Sequence, residues 1–436
     1  MAQSSAVSPL LAPLSGLSAP SLPEPQRIQL DNGASLVLLD LPQAPVLCVD
    51  FWCRAGSAVE LAGESGIAHF LEHMVFKGSR RLAAGEFDRR VEALGGTSNA
   101  ATGFDDVHYH VLMPPQALPE ALELLLDLVL QPRLAAADFA MERSVVLEEL
   151  AQSEDQPEEV AFQELLHRAC GDHPYGQPIL GRKQALEQHK PQTMAAFHQR
   201  HYRADHCCLA LAGPLDQLAY DGNALRDLLN ASPLGQLPAA ESPFRPLPLA
   251  LQAGEHRLAL PRLEAARLLM AWQWPGASDQ LAVTGGDLLT TMLAEGRRSR
   301  LVERLREHLR IVESIDLDLN VLESGCLVLL EAVCESDQLD RVQREVHELL
   351  VQLQNEQAGE AEVERARRLV GNGYRFSLEA AGSVAAMVGN SVLWGRDHGL
   401  GAPLTWLEEW DGARLSRELA PLLAPERAYC LQAVPA

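Results

Sequence analysis

No run of 18 apolar residues occurs anywhere in the 436-residue chain. A membrane-spanning helix needs about that many, so none is expected, and no membrane partner either. Basic residues are scarce: 36 Lys and Arg stand against 59 Asp and Glu, for a formal charge of −23. Nucleic-acid binding needs a basic footprint, and this balance excludes it. The same acidity suits the attraction of basic peptides into an acidic cavity; solubility alone would account for it equally well. No Lys or Arg precedes Arg27, which argues against a secretory signal or an Arg-rich transit peptide. Residues 1–25, rich in Ser, Pro and Ala, read as a flexible leader. None of the eight cysteines (Cys48, Cys53, Cys170, Cys207, Cys208, Cys326, Cys334 and Cys430) belongs to a C-x-x-C pair. Most lie in apolar, strand-like runs such as VLCVDFWC and HCCLALAG. They read as reduced core residues of a cytoplasmic protein.

What is present is an ordinary globular composition, 47% hydrophobic and 22% charged, in a chain too long for one core. Residues 26–40 read as two strands joined at Asp31-Asn32-Gly33, and 46–53 as a third. Helical periodicity starts near Gly66 and again over 85–94. Thr97–Thr102 and Val107–Met113 read as paired strands. Helices are expected over 117–130, 135–153, 158–170 and 183–200, then a strand over 204–213. The Pro-, Ala- and Ser-rich stretch 230–250 is the linker between a first domain, 26–229, and a second, 251–436. Beyond it the order of strand, two helices, paired strands and two helices repeats. That self-similarity predicts an α+β fold of two homologous domains, each an antiparallel-rich sheet packed with helices.

The chemistry concentrates in His69-Phe70-Leu71-Glu72-His73. On a helix His69 and His73 lie about 40° apart and Glu72 within about 60° of His69. A hydrolytic zinc site takes three protein ligands and leaves a fourth position for water. The two imidazoles supply two ligands, and a third must come from elsewhere. Glu72 is placed to take a proton from the water as general base. The order His-x-x-Glu-His is that of the inverzincins. A surface helix carrying two histidines by chance would not be flanked by Ile67, Ala68, Phe70, Leu71, Met74, Val75 and Phe76. In the repeat, the matching residues near LLTTML hold no His or Glu. Glu142-Arg143 matches Glu364-Arg365, and Glu149 matches Gly371.

GIAHFLEHMVFKGS resembles the signature of the pitrilysin, insulysin and mitochondrial processing peptidase family. So do GGTSNAATGFDDVHYHV, ERSVVLEEL, HPYGQPILG and SRLVERLRE, which together span most of residues 26–436. The resemblance implies a zinc endopeptidase acting on short or unfolded peptides. Two homologous domains per chain would form half of a clamshell around a peptide chamber. It implies His69, His73 and Glu149 as Zn2+ ligands, Glu72 as general base and Glu142 as an acid that orients a ligand or the water. Helix geometry puts Glu142 and Glu149 about 20° from one face, and Glu148 about 100° away in solvent. Asn99 and Ala100 fall on the strand that accepts an extended substrate by strand addition.

The second half departs from the pattern. The family often supplies an Arg and, seven residues on, a Tyr that hold the substrate carbonyl. Arg306 is present, but Glu313 stands at the Tyr position and Arg310 at a Gly position. An ionised carboxylate cannot donate to an oxyanion. Arg306 with Glu303, Arg304 and Glu307 would equally serve as surface ion pairs. The resemblance therefore implies the zinc subunit of a dimer, with a homologous partner that lacks the histidine motif or with a second copy. The alternatives are a non-catalytic scaffold subunit and a leader-peptide processing subunit active only with a partner.

Overall fold

The computed structural model describes residues 22–396 and 398–436; residues 1–21 of the expected leader lie outside them. The first sheet holds β1 (Gln26–Gln29), β2 (Ser35–Asp40), β3 (Leu47–Cys53), β4 (Thr97–Thr102), β5 (Val107–Met113) and β6 (Cys207–Gly213). Their order is β1-β2-β6-β3-β5-β4, with only β2 and β6 parallel. The second holds β7 (Gly254–Leu260), β8 (Ala266–Trp274), β9 (Ser314–Asn320), β10 (Cys326–Cys334) and β11 (Tyr429–Pro435). Its order, β7-β11-β8-β10-β9 with β7 and β11 parallel, repeats the first sheet without β1. The fold is α+β, in two halves of like topology. Asp31-Asn32-Gly33 lies between β1 and β2 as expected, with Gly33 at a φ of 98°.

Helices cover the inner face of each sheet. In the first half these are α1 (Ile67–Val75), α2 (Glu86–Ala93), α3 (Leu118–Leu130) and α4 (Ala136–Glu154). There follow α5 (Pro157–Cys170), α6 (Lys183–Gln188), α7 (Pro191–His201) and α8 (Gly222–Asn230). The single helix expected over 183–200 is two helices. Pro191 forces Lys190 into an extended conformation (φ −126°, ψ 153°), and the break falls there. In the second half α9 (Gln280–Ala294), α10 (Leu339–Asn355) and α11 (Glu360–Ser377) occupy the places of α1, α3 and α4. The helix expected over SRLVERLREHL is a π-helical stretch, Val302–His308.

The two halves are interlocked. After α4 the chain crosses over, and α5 lays Ala161, Leu165 and Ala169 on Leu269, Ala271, Leu431 and Ala433 of the second sheet. After α11 it crosses back: α12 (Ala381–Leu393) lays Val384, Ala385 and Val388 on Val37, Trp52, Cys208 and Ala210 of the first. Gly389 is needed there, because a Cβ would lie 2.6 Å from Trp52 Cδ1. Helix α12 is absent from the sequence reading because its Ala, Gly and Ser content blurs the apolar stripe. Each fully buried Val or Leu in these contacts contributes roughly 1.5–3 kcal/mol. Residues 231–253 run between the halves without helix or strand. All eight cysteines are free and buried. No single helix among the described residues is long and apolar enough to cross a membrane.

Polar contacts at the hairpin turns tie the halves together. Tyr175 Oη donates to Asp105 Oδ1 (2.6 Å) and accepts from the Ser324 amide (3.0 Å). Asp105 Oδ2 accepts from the Glu323 amide (2.9 Å), and Glu323 is ion-paired with Arg54. Asn390 of α12 donates to Asp106 (2.9 Å). Burial, then the charge of Asp105, pushes Asp106 up to about 7. Glu323 is also pushed up to about 7, by burial first and by Asp105, against the opposing pull of Arg54. Unfolded carboxylates titrate near 4. Between about pH 4 and 7 the folded chain therefore holds more protons, and stability falls as pH rises through that window. Removing one of these charges should relieve that loss: Asp106→Asn is expected to raise the thermal midpoint more at pH 8 than at pH 5. Equal shifts at the two pH values would contradict the assignment.

Candidate metal centre

Helix α1 is built from the sequence outward. Ile67, Ala68, Phe70, Leu71, Met74 and Val75 are buried, and Phe70 packs on Phe139 of α4 with ring centroids 4.5 Å apart. Gly66 caps the helix at a φ of 81°. Gly181, at the end of HPYGQPILG, presses on it so closely that a Cβ there would lie 2.4 Å from Gly66 Cα. The Glu60 carboxylate accepts from the amides of Gly66 and Ala68, both at 2.9 Å. These are unpaired donors at the positive end of the helix. This cap is not anticipated by the sequence reading; burial pushes Glu60 up to about 8 despite those two bonds.

Packing α1 on α4 brings the two histidines to Glu149. His69 Nε2 lies 3.6 Å from Glu149 Oε1, and His73 Nε2 lies 3.4 Å from Oε2. Their ligand atoms all fall within 4.8 Å of one another. Tetrahedral zinc ligands at about 2.0–2.1 Å from the ion lie roughly 3.4 Å apart, so the three residues fit such an ion. Burial, then the neighbouring His73, lowers His69 to about 4, which keeps its ring neutral, as a ligand must be. Glu149 keeps its side chain 42% exposed, which leaves the site open on one side.

Glu142 is buried one turn-pair earlier on α4 and accepts from His73 Nδ1 at 3.0 Å. That bond directs His73 Nε2 towards Glu149. The other Glu142 oxygen pairs with Lys77 Nζ at 2.7 Å. Lys77 was missed from the sequence, although it stands four residues after His73. Glu72 points to the same side and accepts from Thr102 Oγ1 on β4. Burial raises its pKa, against the opposing Thr102 bond and His73. Thr102 was also missed; its place at the end of NAAT, on the substrate strand itself, was the available signal. Glu148 is exposed, as its angle on the helix predicts.

Strand β4 is the outer strand of its sheet, paired among the described residues only with β5. Asn99 and Ala100 lie in its middle. The Ala100 amide donates to Asn99 Oδ1 (2.9 Å). The strand thus offers free backbone beside Glu72.

Residues 36–183 match the Insulinase (Peptidase family M16) family, and residues 190–370 match the Peptidase M16 inactive domain. The chain belongs to the M16 family. A protein of Mycobacterium tuberculosis named an uncharacterized zinc protease is 29% identical over 391 residues, 88% of this chain and 87% of its own. The zinc protease PqqE of Helicobacter pylori is 25% identical over 387 residues, 87% of this chain and 86% of its own. Among solved structures, a protease from Helicobacter pylori superposes with a TM-score of 0.87 at 23% identity, over 95% of this chain and 100% of that one. A peptidase M16 inactive domain from Pseudomonas fluorescens gives 0.86 at 16% identity, over 94% and 98%. These two show the fold alone. The names of the curated relatives support a peptidase, and zinc as its metal.

The M16 inactive-domain match agrees with the chemistry of the second half. Helix α9, in the place of α1, buries Leu288, Leu289, Thr290, Thr291, Met292 and Leu293 and carries no histidine. Arg306 lies in the π-helical stretch, its guanidinium bonded to Glu307 (3.0 Å), and among the described residues it has no ion pair with those around His69. Glu313 is exposed just before β9, its amide donating to the Val333 carbonyl (2.8 Å).

The Glu142 bridge between His73 and Lys77 should govern metal affinity. Outer-shell partners of this kind are worth about 10–100-fold in affinity. Glu142→Gln keeps the shape and removes the charge, so competition with a chromophoric chelator should show zinc held about 10-fold or more weakly. Unchanged affinity would mean that Glu142 only packs.

Proposed function

We propose that this chain is a zinc-dependent endopeptidase that hydrolyses short or unfolded peptides, basic ones included, in a closed chamber. The observation that carries the reading is the meeting of His69, His73 and Glu149 beside Glu72 and a free strand edge. In this reading residues 26–229 form the zinc-binding domain, 230–250 the linker and 251–436 the non-catalytic partner domain. His69, His73 and Glu149 would hold Zn2+. The ion, when bound, supplies Lewis acidity towards water and the scissile carbonyl.

The chain's own residues do the rest. An extended peptide pairs with β4, and its carbonyl takes the Ala100 amide from Asn99 Oδ1. Thr102 holds one Glu72 oxygen, which leaves the other to take a proton from the attacking water. Glu72 delivers that proton to the amide nitrogen as the carbon–nitrogen bond breaks. Glu142 and Lys77 hold His73 in place throughout.

A second chain completes the site in this proposal. Glu313 in place of a phenolic donor leaves the second half without one group for the developing oxyanion, and Arg306 is bonded to Glu307. We assign the chain as the zinc-bearing subunit of a dimer, with a homologous chain that lacks the histidine motif, working in the cytoplasm; the eight free, buried thiols support that compartment.

The test is cleavage of a quenched fluorescent peptide by the chain alone, with its candidate partner, and as Glu72→Gln. Glu72→Gln should keep its zinc and lose about 10²-fold or more in rate. Cleavage at the original rate would sink the mechanism, and full activity of the lone chain would sink the heterodimer.

A further inference from the structure

A second group of ligand-type side chains lies on the opposite face of the first sheet. Asp50 of β3 sits directly across from His110 of β5, and Trp52 across from His108. The alternation of a strand puts Asp50, His108 and His110 on one face. That is the face opposite α1, the one that Trp52 shares with α12. One ligand atom from each of the three lies within 4.8 Å of the other two.

The arrangement is built. Asp50 is only 1% exposed, and its carboxylate is bonded among the described residues to His108 Nδ1 alone, at 3.0 and 3.3 Å. A buried carboxylate with one donor is under-satisfied. The His108 ring is held in place by stacking on Trp52, with centroids 4.2 Å apart and planes 15° apart. His110 lies parallel to it at 5.7 Å, in the next rung, with no hydrogen bond from its ring to another described side chain. Both imidazoles are part-exposed at the rim, and the carboxylate forms the floor. A proton shared between Asp50 and His108 would satisfy two of the three groups and leave His110 idle.

We propose that Asp50, His108 and His110 form a second metal site, for a divalent transition ion of the zinc class. Two imidazoles and one carboxylate are the donor set that such ions take, while calcium and magnesium prefer all-oxygen sites. The ion displaces the proton between Asp50 and His108 and takes His110 as its third ligand. It ties β3 to β5 directly behind β4, since His110 and His108 pair across the sheet with Asn99 and Ala101. This inference does not rest on zinc at His69 and His73.

The test is a count of ions on the full chain, by equilibrium dialysis against Zn2+ and elemental analysis, with Co2+ absorption as a second readout. His110→Ala and His110→Asn remove a part-exposed ligand, and circular dichroism checks that each folds. Both should bind one ion fewer than the parent and lose one component of the Co2+ spectrum. His73→Ala should lose a different ion, and the double variant both. An unchanged count and spectrum in the folded His110 variants would overturn the proposal.

Discussion

The arrangement depends on the cost of taking polar groups out of water in the seam between α1 and α4. An isolated imidazole or carboxylate there would cost several kcal/mol. The chain offsets this by matching each group to another. Glu142 lies between His73 and Lys77, Glu149 faces both histidines, and Thr102 meets Glu72. One nitrogen, His69 Nδ1, is buried without a partner among the described residues. The polar set thus fixes how α4 sits on α1, and the apolar contacts, such as Phe70 on Phe139, hold the two helices at that spacing. Structure and chemistry here come from the same contacts.

The halves share a topology and differ in what they bury. The first places charge and imidazole between its helices and leaves one strand edge free beside them. The second fills the same space with Leu, Thr and Met. A hydrophobic filling is cheaper, which is the expected course for a copy no longer required to hold a metal. The crossed helices α5 and α12 make neither half separable from the other. The hairpin-turn residues Asp105, Asp106 and Glu323 join them through buried carboxylates, so the junction carries a pH sensitivity of its own.

Much of this was legible in the sequence because local patterns and site chemistry coincided. The strands β3, β4 and β5 and helices α1 to α5 fall within a few residues of their periodicity. The His69–Glu72–His73 spacing needs only one helix to be read. Glu149 needed the family resemblance, since seven-residue spacing on an acidic helix also describes a solvated face. Lys77 and Thr102 had local signals, the four-residue step from His73 and the NAAT run, but like Glu60 they act through contacts that exist only after α1 meets α4, β4 and the 60–66 turn. The crossing of α5 and α12 is a choice between two sheets of similar apolar character. The break at Pro191 was readable and was passed over for the longer helical pattern. The pairing of Asp50 with His110 comes from strand register, which residue order alone does not give.

The most direct measurement is a crystal structure of the zinc-loaded chain with anomalous diffraction at the zinc edge. The account predicts a peak between α1 and α4 with nitrogen ligands from His69 and His73 and an oxygen from Glu149, each at about 2.0–2.2 Å. Glu72 should lie outside the ligand set. A peak that lacks Glu149, or one ligated by Glu72, would contradict it.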